Sequence, residues 1–101
     1  MIKYVGTDKN GQNLEIGDIC TFILGKDYDL VEEIQCEGMI DYDEETFSFS
    51  FEMLDPSFPI VLMQYAKAGS IEKIVNVWHT AGLEDEKYKE YQKLAKASGI
   101  L

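Results

Sequence analysis

Three groups of residues in this chain of 101 are of the types that chemistry uses. His79 is the single histidine, and a general base or a zinc ligand needs convergent partners that no motif in the chain supplies. It follows Trp78 at the end of an apolar run and reads as a turn-positioning or surface residue. Cys20 and Cys36 occupy apolar positions of alternating segments, where free cysteine behaves as a small buried hydrophobe. No charged group beside either would lower its pKa and make it a nucleophile. The third group is Asp41-x-Asp43-x-Glu45 followed by Glu52, which matches the first, third, fifth and twelfth positions of an EF-hand loop. Thr46 then stands where the loop needs its glycine, and helical flanks are missing. The calcium reading gives way to an acidic hairpin, so no catalytic residue, metal or cofactor is expected. In Asp55-Pro56-Ser57-Phe58-Pro59 an aromatic sits between two prolines, a rigid loop that either staples itself to the core or displays Phe58 to a partner.

The elements that must carry these residues follow from periodicity. Phe47, Phe49, Phe51 and Met53 alternate with Thr46, Ser48, Ser50 and Glu52, the period of a half-buried strand. Ile34, Cys36, Gly38, Ile40 and Tyr42 alternate in the same way ahead of the polar connection Asp43-Glu44-Glu45. Residues 33–54 therefore read as one long antiparallel hairpin with the phenylalanines inward and the carboxylates outward. Further short strands are expected at Lys3–Val5, Ile19–Leu24, Ile60–Tyr65 and Ile71–Trp78, with reversals at Asp8-Lys9-Asn10-Gly11, Gly17-Asp18 and Gly25-Lys26-Asp27. From Leu83 to Ala97 the period becomes helical, with Leu83, Tyr88, Tyr91, Leu94 and Ala95 on one face. Glu84, Asp85 and Glu86 lie in the first turn and Lys93 and Lys96 near the end, as the helix dipole favours. Gly99 is the expected left-handed stop, with Ile100 folding back on the last turn. Short strands at this spacing predict a small barrel or strongly bent sheet capped on one side by the helix.

Charge is unevenly distributed. The formal net charge is −10, yet from Asp27 to Asp55 there are eleven acids and no base, while eight acids face nine lysines elsewhere. With no arginine and few lysines in excess, direct binding to a nucleic-acid backbone is disfavoured. Two cysteines outside any C-x-x-C pair, no basic start followed by an apolar run, and no apolar stretch of membrane-spanning length point to a reduced cytoplasmic setting, away from membranes.

The order of turns and strands resembles the YopX family of small phage and prophage proteins. The likeness runs through Thr7-Asp8-Lys9-Asn10-Gly11 and Glu15-Ile16-Gly17-Asp18-Ile19, then Gly38-Met39-Ile40-Asp41-Tyr42 leading to Phe47, and closes with Ile71-Glu72-Lys73-Ile74-Val75-Asn76-Val77-Trp78. Val75 replaces the family's usual glycine, and a full helix follows where the family has a short ending. The resemblance implies a mainly β domain, a small SH3-like or YopX-type antiparallel barrel over residues 1–79 with a C-terminal α-helix over 83–98, in a bacterial host's cytoplasm. It carries no catalytic residues.

On these grounds the chain reads as a non-enzymatic binding module for a host or phage protein, acting through an acidic surface of Glu37, Asp41, Asp43, Glu44 and Glu45, with Phe58 beside them. A nucleic-acid mimic that blocks a DNA- or RNA-binding defence protein is the sharper variant. A small hydrolase or nucleotide-modifying enzyme is the alternative from another class. The helix tyrosines suit a homo-oligomer interface as well as a core.

Overall fold

Strand β3 (Asp18–Leu24) is an almost continuous apolar run, and both of its faces carry buried residues. Cys20, Phe22 and Leu24 enter one cluster, with Leu14, Ile40, Phe51 and Val61. Ile19, on the other face, joins Met39, Val77, Tyr91 and Ala95. A strand buried on both faces requires a layer on each side, and the computed structural model supplies them. It describes residues 4–28, 30–58 and 60–101, the side chains of Tyr4 and Asp27 apart. The expected strand start at Lys3, Asp29 of the acidic run and Pro59 of the proline loop lie outside the described residues.

Among the described residues, β1 (Tyr4–Thr7) and β2 (Asn13–Glu15) pair only with each other. The main sheet contains β3, β4 (Ile34–Asp43), β5 (Ser48–Glu52), β6 (Ile60–Leu62) and β7 (Glu72–Asn76), antiparallel throughout in the order β6-β5-β4-β3-β7. Helix α1 (Glu86–Ala97) covers one face, as its periodicity predicts. The fold is mainly β with one C-terminal helix, but the expected barrel is corrected: β6 and β7 are separate edges and the sheet stays open. The reason is local. β6 has only three residues before the chain turns into a 3₁₀ segment at Met63–Tyr65, and beyond it the chain meets β3 only in the isolated bridge of Ala66 with Leu24, with no continuous ladder to close a cylinder.

Other boundaries also shift. The expected strand to Trp78 ends at Asn76, because the Asn76 side chain accepts from the Trp78 N–H (3.0 Å) and starts a 3₁₀ turn over Val77–His79. Asp85 caps α1 by accepting from the Lys87 N–H (3.0 Å), so the helix begins at Glu86 and leaves Leu83 exposed. Gly99 is left-handed (φ 79°), and the Ile100 N–H donates to the Ala95 carbonyl (2.8 Å), the stop expected for this helix. Gly38 makes room for the stacked pair Phe22 and Phe51 (centroids 4.0 Å apart), since a Cβ there would stand 2.9 Å from the Phe51 Cβ.

The hairpin of β4 and β5 pairs in the expected sense but with a longer turn. Asp43 faces Ser48, leaving residues 44–47 as the loop. Phe51 and Met53 are buried and Phe49 is half-buried against Tyr42. Phe47 is corrected: it lies in the loop, 80% exposed. The face expected to be wet is also partly covered, with Ser50 buried and Glu52 meeting the Ser98 hydroxyl after the helix.

Candidate protein-binding groove

Three backbone segments meet around Asp18, and their side chains shape the surface above. The carboxylate of Asp18 is fully buried, accepting from the Glu15 N–H (2.9 Å) and from the Asn76 side-chain amide (2.8 Å), with the Lys73 ammonium 3.4 Å away. Gly17 adopts φ 93°; its N–H donates to the Ile40 carbonyl (2.8 Å) and its carbonyl accepts from the Val77 N–H (2.8 Å). Asp8 acts in the same way at the other turn, accepting from the N–H groups of Asn10, Gln12 and Lys73 at 2.8–3.0 Å. The Lys73 N–H leads the effects that hold the Asp8 carboxyl below its ordinary value. Asp8, Gly17, Asp18 and Asn76 of the quoted motifs are thus occupied in joining β1–β2 to the main sheet.

Above this junction, a groove of about 990 Å³ runs between the β2–β3 turn, the β4–β5 hairpin, the Val77–His79 turn and the end of α1. Glu15, Asp41 and Glu44 line it, with Trp78, Ser98 and Ile100, and its described lining includes no lysine. Trp78, the single tryptophan of the chain, is 63% exposed. The carbonyl end of α1 adds its partial negative charge to that of the acids. Asp41 is half-buried, and burial, opposed by the Tyr42 N–H, pushes its carboxyl above the ordinary range, with Asp43 and Glu44 adding to the rise. Glu52 is raised for the same first cause, although the Ser98 hydroxyl donates to both of its oxygens (2.9 and 2.7 Å). Carboxylates incompletely solvated and close to one another attract a cation, and an exposed indole adds an apolar, π-bearing surface for its stem.

The expected contact residues divide. Asp41 and Glu44 line the groove; Asp43 and Glu45 belong to the same hairpin end. The Asp43 carboxylate accepts from the Glu45 N–H and the Thr46 hydroxyl, both at 3.0 Å, which braces the loop. Glu37 lies under the helix instead, accepting from the Lys87 ammonium and the Tyr91 hydroxyl, both at 3.0 Å. The bond to Glu37 raises the Lys87 pKa, while burial, with Glu37 adding to it, raises that of Tyr91. Phe58 packs on the opposite core beside Tyr28, with centroids 5.8 Å apart, which is the staple alternative.

His79 is exposed at the end of its 3₁₀ turn. Cys20 and Cys36 are free and buried; burial pushes the Cys20 thiol up to about 12 and raises Cys36 as well. Among the described residues, no group of three or more His, Cys, Asp or Glu is arranged to hold a metal ion. No described helix is long and apolar enough to cross a membrane.

Sequence reasoning passed over Glu15, Trp78, Ser98 and Ile100 as groove residues. Glu15 and Ser98 carry no local signal, whereas a lone tryptophan beside a capping asparagine was a usable one. Comparison with protein-family models, curated proteins and solved structures finds no match to this chain.

Proposed function

We propose that this chain is a non-enzymatic protein-binding module of phage or prophage type, a small SH3-like or YopX-like β domain acting in a bacterial cytoplasm. Its partner is a host or phage protein that presents lysine or arginine to the acidic hairpin and groove. The observation that carries the reading is the groove's composition: Glu15, Asp41, Glu44 and an exposed tryptophan share one concavity. The motif resemblance supplies the biological setting. Acids concentrated on one face speed encounter with a basic partner and orient it, and salt weakens that attraction.

Trp78 is a built-in reporter, so titration of the full chain with a lysine/arginine octapeptide tests the proposal by fluorescence. Saturable change is expected at low salt, weakened about ten-fold by the pair Glu44→Lys and Glu45→Lys and weakened again by added salt. An unchanged Trp78 signal across the titration, or equal affinity in the charge-reversed pair, would reject it. Asp41 and Asp43 project from one face of β4, with Glu44 and Glu45 following at its end. That linear run supports the mimic variant as well. Release of a basic partner by double-stranded DNA in competition would distinguish the mimic from a site that ignores nucleic-acid competitors.

A further inference from the structure

We infer that Phe47 is the anchor by which the hairpin tip docks on a basic protein segment that bears an apolar side chain. The inference rests on the protein-binding reading above and names the contact that supplies affinity beyond charge. Phe47 has φ 53°, the one positive φ at a non-glycine position among the described residues. That left-handed backbone crowds the Cβ of a bulky residue, while glycine or asparagine adopts it readily. The loop imposes the geometry, because Asp43 pairs with Ser48 and the chain must reverse within four residues.

Strain of this kind is ordinarily offset by packing the side chain. Here the ring is 80% exposed, so the native fold gains little from it. The tip is nevertheless well held: the Asp43 carboxylate accepts from the Glu45 N–H and the Thr46 hydroxyl, and the Ser48 hydroxyl donates to the Thr46 carbonyl (3.1 Å). An exposed aromatic on a braced turn that also carries acids has the make-up of an interface hot spot, in which an apolar centre sits inside a polar rim.

Charge selects the occupant. Asp43, Glu44 and Glu45 lie within four residues of Phe47 at the same hairpin end, and no base occurs between Asp27 and Asp55. A second copy meeting this tip across a two-fold axis would bring the same acids against it, and a nucleic acid would bring phosphates; both are repelled. A lysine- or arginine-rich segment with a leucine-like side chain satisfies both the rim and the ring.

The test uses the full chain as wild type, Phe47→Gly and Phe47→Leu, with two fluorescently labelled peptides followed by anisotropy. One peptide alternates lysine and leucine; in the other the leucines are replaced by serine. Wild type is expected to prefer the leucine peptide by about ten-fold, Phe47→Leu to keep most of that preference, and Phe47→Gly to lose it while melting at or above the wild-type temperature. The inference is overturned if Phe47→Gly keeps the leucine preference, or if its melting temperature falls by more than about 4 °C, which would place the ring in the protein's own packing. Equal binding of both peptides by wild type, with loss on Glu44→Lys, would remove the anchor and leave the acidic-surface reading standing. Failure of wild type to bind either peptide would remove both.

Discussion

Asp18 is the residue on which the three-way junction depends. Its carboxylate is fully buried and takes a backbone N–H, a side-chain amide and a nearby ammonium. Deleting it would leave the Glu15 N–H and the Asn76 amide without this acceptor in a buried site, and take the partner from the partly exposed Lys73 ammonium; an unmatched buried donor costs more than the bond's net worth. Asp18→Ala is therefore expected to lose about 3 kcal/mol of stability by urea denaturation, with Asp18→Asn milder because it retains one acceptor. A loss below about 1 kcal/mol in Asp18→Ala would mean that the network is dispensable. The same residue-level logic separates the two kinds of acid in this chain. Asp8 and Asp18 work inward on backbone donors, whereas Glu44 and Glu45 are exposed at the hairpin tip.

Helix α1 is held on the sheet at both ends by polar contacts flanking an apolar centre. Tyr91 and Ala95 supply the buried centre. Near the start, Lys87 and Tyr91 converge on Glu37; near the end, the Ser98 hydroxyl reaches Glu52 on β5. The second contact carries a cost because Glu52 is partly desolvated and feels Asp41, which together raise its carboxyl despite the Ser98 bond. A raised acid binds its proton more tightly in the native than in the unfolded state. Ionised Glu52 therefore lowers stability above its raised folded value, and the cost vanishes as pH falls through that value toward the ordinary 4.5. Glu52→Gln keeps an oxygen for the Ser98 hydroxyl and removes the charge. It is expected to be more stable than wild type at neutral pH by about 0.5 kcal/mol, discounted for solvent screening, with the gap closing once pH drops below 4.5. Paired thermal melts across that range check this, and a variant less stable at neutral pH would contradict it.

The whole molecule is an acidic hairpin set in a nearly neutral frame. Its net charge of −10 favours solubility and works against compaction through self-repulsion. The exposed ion pairs, such as Lys67 with Glu33 at 2.8 Å, return little against that, since surface pairs contribute about 1 kcal/mol at most. Raising sodium chloride from about 0.01 M to about 1 M shortens the screening length from about 30 Å to about 3 Å. The urea midpoint is expected to rise over that range. A falling midpoint would show that attraction between the lysines and the acids outweighs repulsion within the hairpin. At the same scale, the groove belongs to no single element: the β2–β3 turn, the hairpin, the 3₁₀ turn and the helix end each contribute a wall.

Alternation and turn chemistry were enough to place the strand pairing of β4 with β5, the buried state of Cys20, Cys36 and Phe51, the helix with its Gly99 stop, and the concentration of acids on the hairpin. Each of these depends on neighbours a few residues apart, whose side-chain period and backbone preferences are written locally. The open sheet, the diversion of Glu37 to Tyr91 and Lys87, the exposure of Phe47 and the joining of Glu15, Trp78 and Ser98 in one groove were decided by packing. Both faces of β3 need cover, and that cover is supplied by residues distant in the chain. Period two cannot tell which polar face a helix will later occupy, nor where a hairpin leaves its ladder, because those outcomes depend on surfaces that exist only once the chain has folded.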